Sequence, residues 1–268
     1  MTLTEEARKF NSSLVPGFLA AAALSVLFAQ RPSPCLAGPP FITDDPVPVD
    51  KGHGEIYFTG TTDWSRDGVS GALPSVEFDY GPFDNVEIEA TPQMAYSRPD
   101  ATGRMDYGSG DTELGVDYRF IQEDQFFPGC PQVAIYPLLE LPTGDVHRGL
   151  GNGRAQEFIP IWMQKSWGPD NRQWTLYGGG GYEFNPGTGN ENFGYFGGVL
   201  QKQITDNFAL GLELFHFTPQ ANGESGHTGF NVGFTYDFSD SWHLLFSAGR
   251  DLSGDDRFIN YTSIEFTY

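Results

Sequence analysis

From about residue 54 to the C-terminus, apolar and polar side chains alternate in segments of about ten residues. Val76, Phe78 and Tyr80 alternate with Ser75, Glu77 and Asp79. Val86, Ile88 and Ala90 alternate with Glu87, Glu89 and Thr91. Leu114, Val116, Tyr118 and Phe120 oppose Glu113, Asp117 and Arg119, and Leu139 and Leu141 oppose Tyr136 and Glu140. Phe208, Leu210, Leu212 and Leu214 oppose Gly211 and Glu213. A period of two sends successive side chains to opposite faces of a strand. The spacing predicts strands near 54–65, 72–81, 85–97, 109–122, 131–142, 156–167, 174–185, 192–204, 207–218, 227–238, 242–251 and 257–268.

The connections between these strands decide what they build. One set is short and turn-like (81–85, 167–171, 205–207 and 239–241), with 123–131 as its longer member. The alternating set is rich in glycine and often longer (98–109, 143–155, 186–191, 219–227 and 253–256). Outer-membrane barrels place short turns on the periplasmic side and longer loops outside. A soluble sandwich has no reason to sort its connections by parity. The expected fold is therefore all-β: a transmembrane antiparallel up-and-down barrel of about twelve strands in a bacterial outer membrane. Closure removes the strand edges that an open sheet would expose to lipid.

Composition agrees. Mean hydropathy is −0.35, which an alternating wall produces while still presenting an apolar face. No apolar run reaches the roughly 20 residues that a spanning helix needs. With 15 Lys+Arg against 35 Asp+Glu, nucleic acid is excluded as a partner, since nothing basic would release counterions from phosphate. Aromatic residues gather near strand ends (Trp64, Tyr80, Trp167, Trp174, Tyr182, Phe193 and Trp242), as an interfacial belt requires. The last segment, Ile264 to Tyr268, alternates and stops on an aromatic residue, similar to the signal read by the barrel assembly machinery.

Residues 1–37 carry Arg8 and Lys9, then an apolar stretch from Phe18 to Ala29, then Cys35-Leu36-Ala37. This is the plan of a signal peptide, with cleavage after Ala37 preferred to Ala29. The domain reading is signal peptide 1–37, Pro-rich segment 38–53 and barrel 54–268. Cys35 would leave with the signal, so Cys130 would stand alone in a turn.

Several stretches resemble a known family: Pro39 to Pro46, Gly110 to Arg119, Glu140 to Asp145, Arg148 to Gly153, Gln164 to Gly168 and Trp174 to Gly181. It is the family of outer-membrane transporters named for an association with the meta-pathway of phenol degradation. The resemblance runs from about Gly38 to the C-terminus. It implies an outer-membrane barrel that passes small solutes, aromatic compounds among them, and it brings no catalytic residues.

If the barrel is right, the alternation turns Glu77, Glu87, Glu89, Glu113, Asp117, Arg119, Glu140, Glu213 and Glu265 inward, because charge facing lipid is destabilising near the midplane, by roughly 2–4 kcal/mol for Arg or Lys and less for Asp or Glu. Such a lumen would favour cations or neutral hydrogen-bonding solutes. The alternative is a filled, non-conducting lumen in which the carboxylates pair with Arg119, Lys165 and Lys202, or hold water. Gly178, Gly179, Gly180 and Gly181 form a run without side chains, and Gly197 and Gly198 lie on the next strand. The run offers either a notch in the wall, where a loop or solute could lie, or, preferably, curvature for closure. Asp44-Asp45-Pro46 could plug the lumen or bind a cation, but reads better as a solvated periplasmic linker. The loop 145–153 reads as an external loop able to fold inward.

An outer-membrane lipase would need His216, expected to face lipid, to act with Ser225 or Ser247. No nucleophile motif sets such a spacing. The five histidines are scattered, so neither a metal site nor a cofactor is expected. The partners expected are a small-molecule solute, outer-membrane lipid and the assembly machinery.

Overall fold

The computed structural model describes residues 40–254 and 256–268, so the expected signal peptide lies outside the described residues. The strands are β1 (Gly54–Ser65), β2 (Gly68–Phe83), β3 (Val86–Thr91), β4 (Gln93–Pro99) and β5 (Asp106–Ser109). They continue with β6 (Thr112–Ile121), β7 (Gln132–Ile135), β8 (Leu138–Leu141), β9 (Gln156–Trp167) and β10 (Trp174–Phe184). The rest are β11 (Phe193–Thr205), β12 (Phe208–Phe217), β13 (His227–Ser239), β14 (Trp242–Ser253) and β15 (Phe258–Thr267). All pair antiparallel in one sheet, and β1 closes it against β15 in register from Glu55↔Thr267 to Trp64↔Phe258.

Three staves of the wall are interrupted, at Pro92 between β3 and β4, at Gly110-Asp111 between β5 and β6, and at Tyr136-Pro137 between β7 and β8. Counting each interrupted pair as one stave gives a closed 12-strand barrel. The alternation alone predicts these staves as unbroken strands. Proline cannot donate to the ladder, yet the wall stays bonded across each break. The Val76 amide donates to the Pro92 carbonyl at 3.1 Å, that of Gly110 to Gln93 at 2.9 Å and that of Val116 to Pro137 at 3.1 Å. At the middle break Asp111, 3 % exposed, turns inward and ties down the longest loop. Its Oδ1 accepts from the Gly144 amide at 2.7 Å and its Oδ2 from that of Asn152 at 2.6 Å.

The connections sort by rim as expected. Residues 84–85, 122–131, 168–173, 206–207 and 240–241 turn at the rim that also holds both ends of the barrel chain, where Tyr268 and Gly54 exchange backbone hydrogen bonds. The opposite rim carries 100–105, 142–155, 185–192 and 218–226, together with the tight 66–67 and 254–257 turns. Along each stave the two faces differ as an outer-membrane barrel requires. Phe78, Ile88, Leu114, Val116, Leu212 and Leu214 are exposed on the outside, whereas Glu213 and Glu265 are 0 % exposed within. Trp64, Tyr80, Trp167, Trp174, Tyr182 and Trp242 are exposed at strand ends. Phe193 is not part of that belt; it is half-buried and lines an internal cavity. Among the described residues no helix is long and apolar enough to cross a membrane.

Candidate functional site

The lumen is the candidate site, and its first occupant is the chain itself. Residues 40–50 run inside the wall, contrary to the expectation of a solvated linker. Thr43 is 0 % exposed. Its amide donates to Glu213 Oε1 at 2.6 Å, the Ile42 amide to Glu213 Oε2 at 3.3 Å, and its hydroxyl pairs with Tyr195 at 2.7 Å. Further along, the Val49 amide donates to Glu87 Oε2 at 2.6 Å, and Ser247 donates to the Pro40 carbonyl. A buried segment outside any strand has backbone donors that need partners. The inward carboxylates accept from Ile42, Thr43 and Val49, while Asp44 and Asp45 cap the Asp45 and Val47 amides within the segment. Burial pushes the Asp44 carboxyl up to about 7, opposed by the Asp45 amide at 2.8 Å and reinforced by the charge of Glu89.

Glycines make the docking possible. A Cβ at Gly197 would overlap the Thr43 hydroxyl. Gly211 and Gly233 face each other across β12 and β13, and a Cβ on either would come within 2.6 and 2.9 Å of the Phe41 ring.

The run on β10 serves a different need, and it is not a notch. Gly178, Gly179, Gly180 and Gly181 point alternately to the two faces of the wall, so they cannot share one recess. On the inner face a Cβ at Gly179 would collide with the Ile161 carbonyl and press on the Trp162 ring, and one at Gly181 would meet the Phe158 ring at 2.5 Å. On the outer face a Cβ at Gly180 would lie 2.6 Å from both the Phe196 ring and the Tyr195 carbonyl, and one at Gly178 would run into the Gly197 carbonyl. All four positions are therefore filled by neighbours from β9 and β11. Close packing, rather than an open recess or curvature alone, explains the run.

All nine inward residues named from the alternation are buried or half-buried. Glu213 accepts four donors, two from the segment plus Asn231 at 2.5 Å and Tyr195 at 3.3 Å. Glu89 accepts Thr91 at 2.6 Å and Tyr136. Glu265 accepts Thr267 at 3.0 Å on Oε1, while its Oε2 is buried without a hydrogen-bond partner. Asp117 leaves Oδ1 in the same condition. The cations do not neutralise them. Arg119 is engaged by Asn85 and Gln132, Lys165 by Glu123 and Asp124, and Lys202 by the Arg172 carbonyl and the Trp174 ring. Among the described residues no ion pair reaches Glu77, Glu87, Glu89, Glu113, Asp117, Glu140, Glu213 or Glu265. The alternative of carboxylates paired with Arg119, Lys165 and Lys202 therefore finds no ion pair among the described residues, the basic side chains lying near the rims.

The chain from residue 84 to 264 matches the family described as "Putative MetA-pathway of phenol degradation". It belongs to this family. No curated protein matches it in sequence. Among solved structures it is similar to "the COG4313 outer membrane channel from Pseudomonas putida F1", at 17 % identity and a TM-score of 0.63, over 84 % of this chain and 97 % of that one. It also resembles the KdgM porin at 10 % identity and TM-score 0.52 (80 % and 99 % covered). The NanC porin follows at 10 % identity and TM-score 0.51 (79 % and 98 %). These likenesses establish the fold, a bacterial outer-membrane barrel.

Two features of the lumen are not foreseen from the sequence. The first is an aromatic cluster of Tyr136, Trp162, Tyr195 and Phe215, with Phe158 and Phe217 packed against it. Trp162 and Tyr195 meet edge-to-face with ring centroids 6.0 Å apart, and Tyr195 and Phe217 lie tilted with centroids 4.7 Å apart. Extending the β12 alternation from Glu213 would have placed Phe215 and Phe217 inside. The second is a cavity of about 210 Å³ towards the long-loop rim, lined by Glu113, Glu140, Glu183, Gln156, Leu138, Phe158 and Phe193. Glu140 is steadied there by Asn152 Nδ2 at 2.5 Å, from the loop that Asp111 holds.

Proposed function

We propose that this family member passes small solutes, hydrophobic or aromatic compounds among them, passively across the outer membrane. The observation that carries the reading is the cavity at the long-loop end, where carboxylates and phenyl rings share one wall. An apolar cavity of about 150 Å³ takes up benzene, so about 210 Å³ suits a single-ring compound with a polar substituent. Three carboxylates with no basic residue beside them select neutral hydrogen-bonding or cationic solutes over anions. The KdgM porin was solved "in complex with disordered oligogalacturonate", an acidic polymer; this lumen would repel such a ligand. The inward carboxylates Glu77, Glu87, Glu89, Glu113, Asp117, Glu140, Glu213 and Glu265, with Arg119, form the polar side of the path in this reading. Gly179 and Gly181 seat the rings that border it, and Gly178 and Gly180 support them from the outer face.

The reading is non-enzymatic. His216 Nδ1 pairs with Thr228 at 2.9 Å, Ser247 is committed to Pro40, and Ser225 is exposed, so none of the three supports a lipase. Outer-membrane lipid against the apolar band and recognition of the last strand by the assembly machinery complete it, with residues 1–37 removed on export.

A non-conducting barrel is the second reading, favoured by residues 40–50 inside the lumen. Single-channel recording and vesicle uptake of phenol separate the two. Transport predicts small cation-selective conductance and phenol entry, both altered by Glu113→Gln and Glu140→Gln. Absence of both from the intact protein and from a Glu213→Ala variant with its segment released would leave only the structural barrel.

A further inference from the structure

On the short-turn half of the lumen, three carboxylates from two neighbouring strands converge. Glu77 and Asp79 are alternate residues of β2, and Glu89 on β3 stands directly opposite Asp79. One oxygen from each lies within 4.8 Å of the other two. Glu55 extends the row, opposite Asp79 on β1. Like charges placed directly across a sheet destabilise it. A buried carboxylate with no partner costs more still, and Asp79 is 4 % exposed with Oδ1 lacking any hydrogen-bond partner.

The surroundings hold these groups together rather than separating them. Tyr136 donates to Glu89 Oε2 and Thr91 to Glu89 Oε1 at 2.6 Å, which fixes the orientation of that carboxylate. Gly115, the β6 residue opposite Glu89, has no side chain, and a Cβ there would meet Glu89 Oε2 at 2.8 Å. Arg119 of β6 is turned away to Asn85 and Gln132, and Arg98 lies at the long-loop end of β4.

We infer that Glu77, Asp79 and Glu89 form a binding site for one hard divalent cation, calcium by preference. The geometry is permissive for a single ion. Calcium binds oxygen at about 2.4 Å, so oxygens touching one calcium lie no more than about 4.8 Å apart. Magnesium, at about 2.05 Å and with a strict octahedral demand, tolerates oxygens no more than about 4.1 Å apart and fits a cluster of flexible carboxylates less readily. Three carboxylates supply between three and six oxygens, and lumenal water completes the shell. The unpartnered Asp79 oxygen then has a partner, and the charges facing one another across β2 and β3 are bridged instead of opposed. Orientation of a ligating carboxylate by outer hydroxyls is the usual support of a metal site. This site is independent of whether the barrel conducts.

The full-length barrel in detergent, stripped with EDTA and titrated with CaCl2, tests it by calorimetry and by thermal melting. The expected result is one calcium per barrel and a midpoint several degrees higher in calcium than in EDTA, since binding to the folded state stabilises it by mass action. Asp79→Asn and Glu89→Gln are each expected to weaken calcium binding at least tenfold and to abolish the calcium-dependent shift. Their midpoints in EDTA should equal or exceed the wild-type value, because a repulsion is removed; this also reports that they fold. Glu140→Gln, at the far rim, should bind as wild type. Calcium binding that survives both substitutions, equal binding of magnesium and calcium, or a midpoint indifferent to EDTA in the wild type would overturn the inference and leave protons as the neutralising species.

Discussion

The two halves of the barrel wall solve the problem of an enclosed interior in different ways. From β9 to β15 the strands are continuous, and the inward side chains include Trp162, Tyr177, Tyr195, Val199, Phe215 and Leu245, beside a Glu213 surrounded by donors and the fewer acidic groups Glu183 and Glu265. From β1 to β8 three staves are broken, and the inward positions hold Glu77, Asp79, Glu87, Glu89, Glu113 and Asp117. The first half resembles a protein core, in which burial and packing stabilise. The second holds charge that no basic residue neutralises. A wall optimised only for stability would not keep such a surface, and the proposed solute path and cation site draw most of their carboxylates from the N-terminal half.

The largest test of that division is Trp162→Ala. Truncating a buried aromatic residue of this size costs about 3–5 kcal/mol, and Trp162 is 2 % exposed at the centre of the cluster. Denaturant unfolding in detergent should show a loss of that order; a loss below about 1 kcal/mol would remove the supporting role assigned to this half.

Glu213→Ala comes next, because it joins the two halves through residues 40–50. Hydrogen bonds to a charged group are worth roughly 1.5–3 kcal/mol each, and two of the four come from the docked segment. Release of about 3 kcal/mol corresponds to roughly a hundredfold in docking. The thiol-labelling rate of a Thr43→Cys probe, in a Cys130→Ser background, should rise by about that factor. An unchanged rate would mean that other contacts hold the segment.

In the carboxylate half the sign reverses. Glu113→Gln should leave stability unchanged or raise it, and should lower cation-over-anion selectivity about threefold. Removing one charge about 6 Å from a permeating ion in water changes its energy by roughly 0.7 kcal/mol. Reversal potentials in a salt gradient read this directly, and a stability loss above about 1 kcal/mol would contradict the contrast.

The smallest effect belongs to the short-turn rim. Hydrogen bonding from Lys165 at 2.8 Å, aided by the Gly129 amide, holds the Asp124 carboxyl below its usual range. A depressed carboxylate contributes stability above its unfolded value, lost as pH falls through the folded one. Lys165→Met should therefore narrow the difference between neutral and strongly acid melting, by an amount close to the limit of measurement for an exposed pair. A large shift at neutral pH would show that this turn matters more than its exposure implies.

Much of this was legible from residue types alone. The strand expected at 156–167 is β9 to the residue, and the inward turn of Glu77, Glu87 and Glu213 follows from a period of two. The broken staves were less so. Pro92 and Pro137 are visible in the sequence, but that neighbouring amides would bond to their carbonyls and keep the wall intact is a matter of register. The glycine run was visible too, yet what fills the space beside Gly180 or Gly181 depends on which residues β9 and β11 bring opposite them. The convergence of Glu77, Asp79 and Glu89 was equally hidden, because no local spacing joins residue 79 to residue 89.

Alternation is a property of neighbours, so the chain by itself determined a closed wall, its two faces and the rims where its turns and loops lie. What fills that wall depends on partners distant in sequence. Thr43 meets Glu213 across 170 residues and Pro40 meets Ser247 across 207. Such contacts exist only after closure has brought opposite staves within hydrogen-bond reach, and the low-dielectric interior then makes every unpaired donor seek them. The tertiary structure alone therefore decided that the Pro-rich segment lies inside, that the basic residues stay near the rims, and that, among the described residues, no ion pair reaches the inward Glu77, Asp79, Glu87, Glu89, Glu113 and Asp117 of the acidic half.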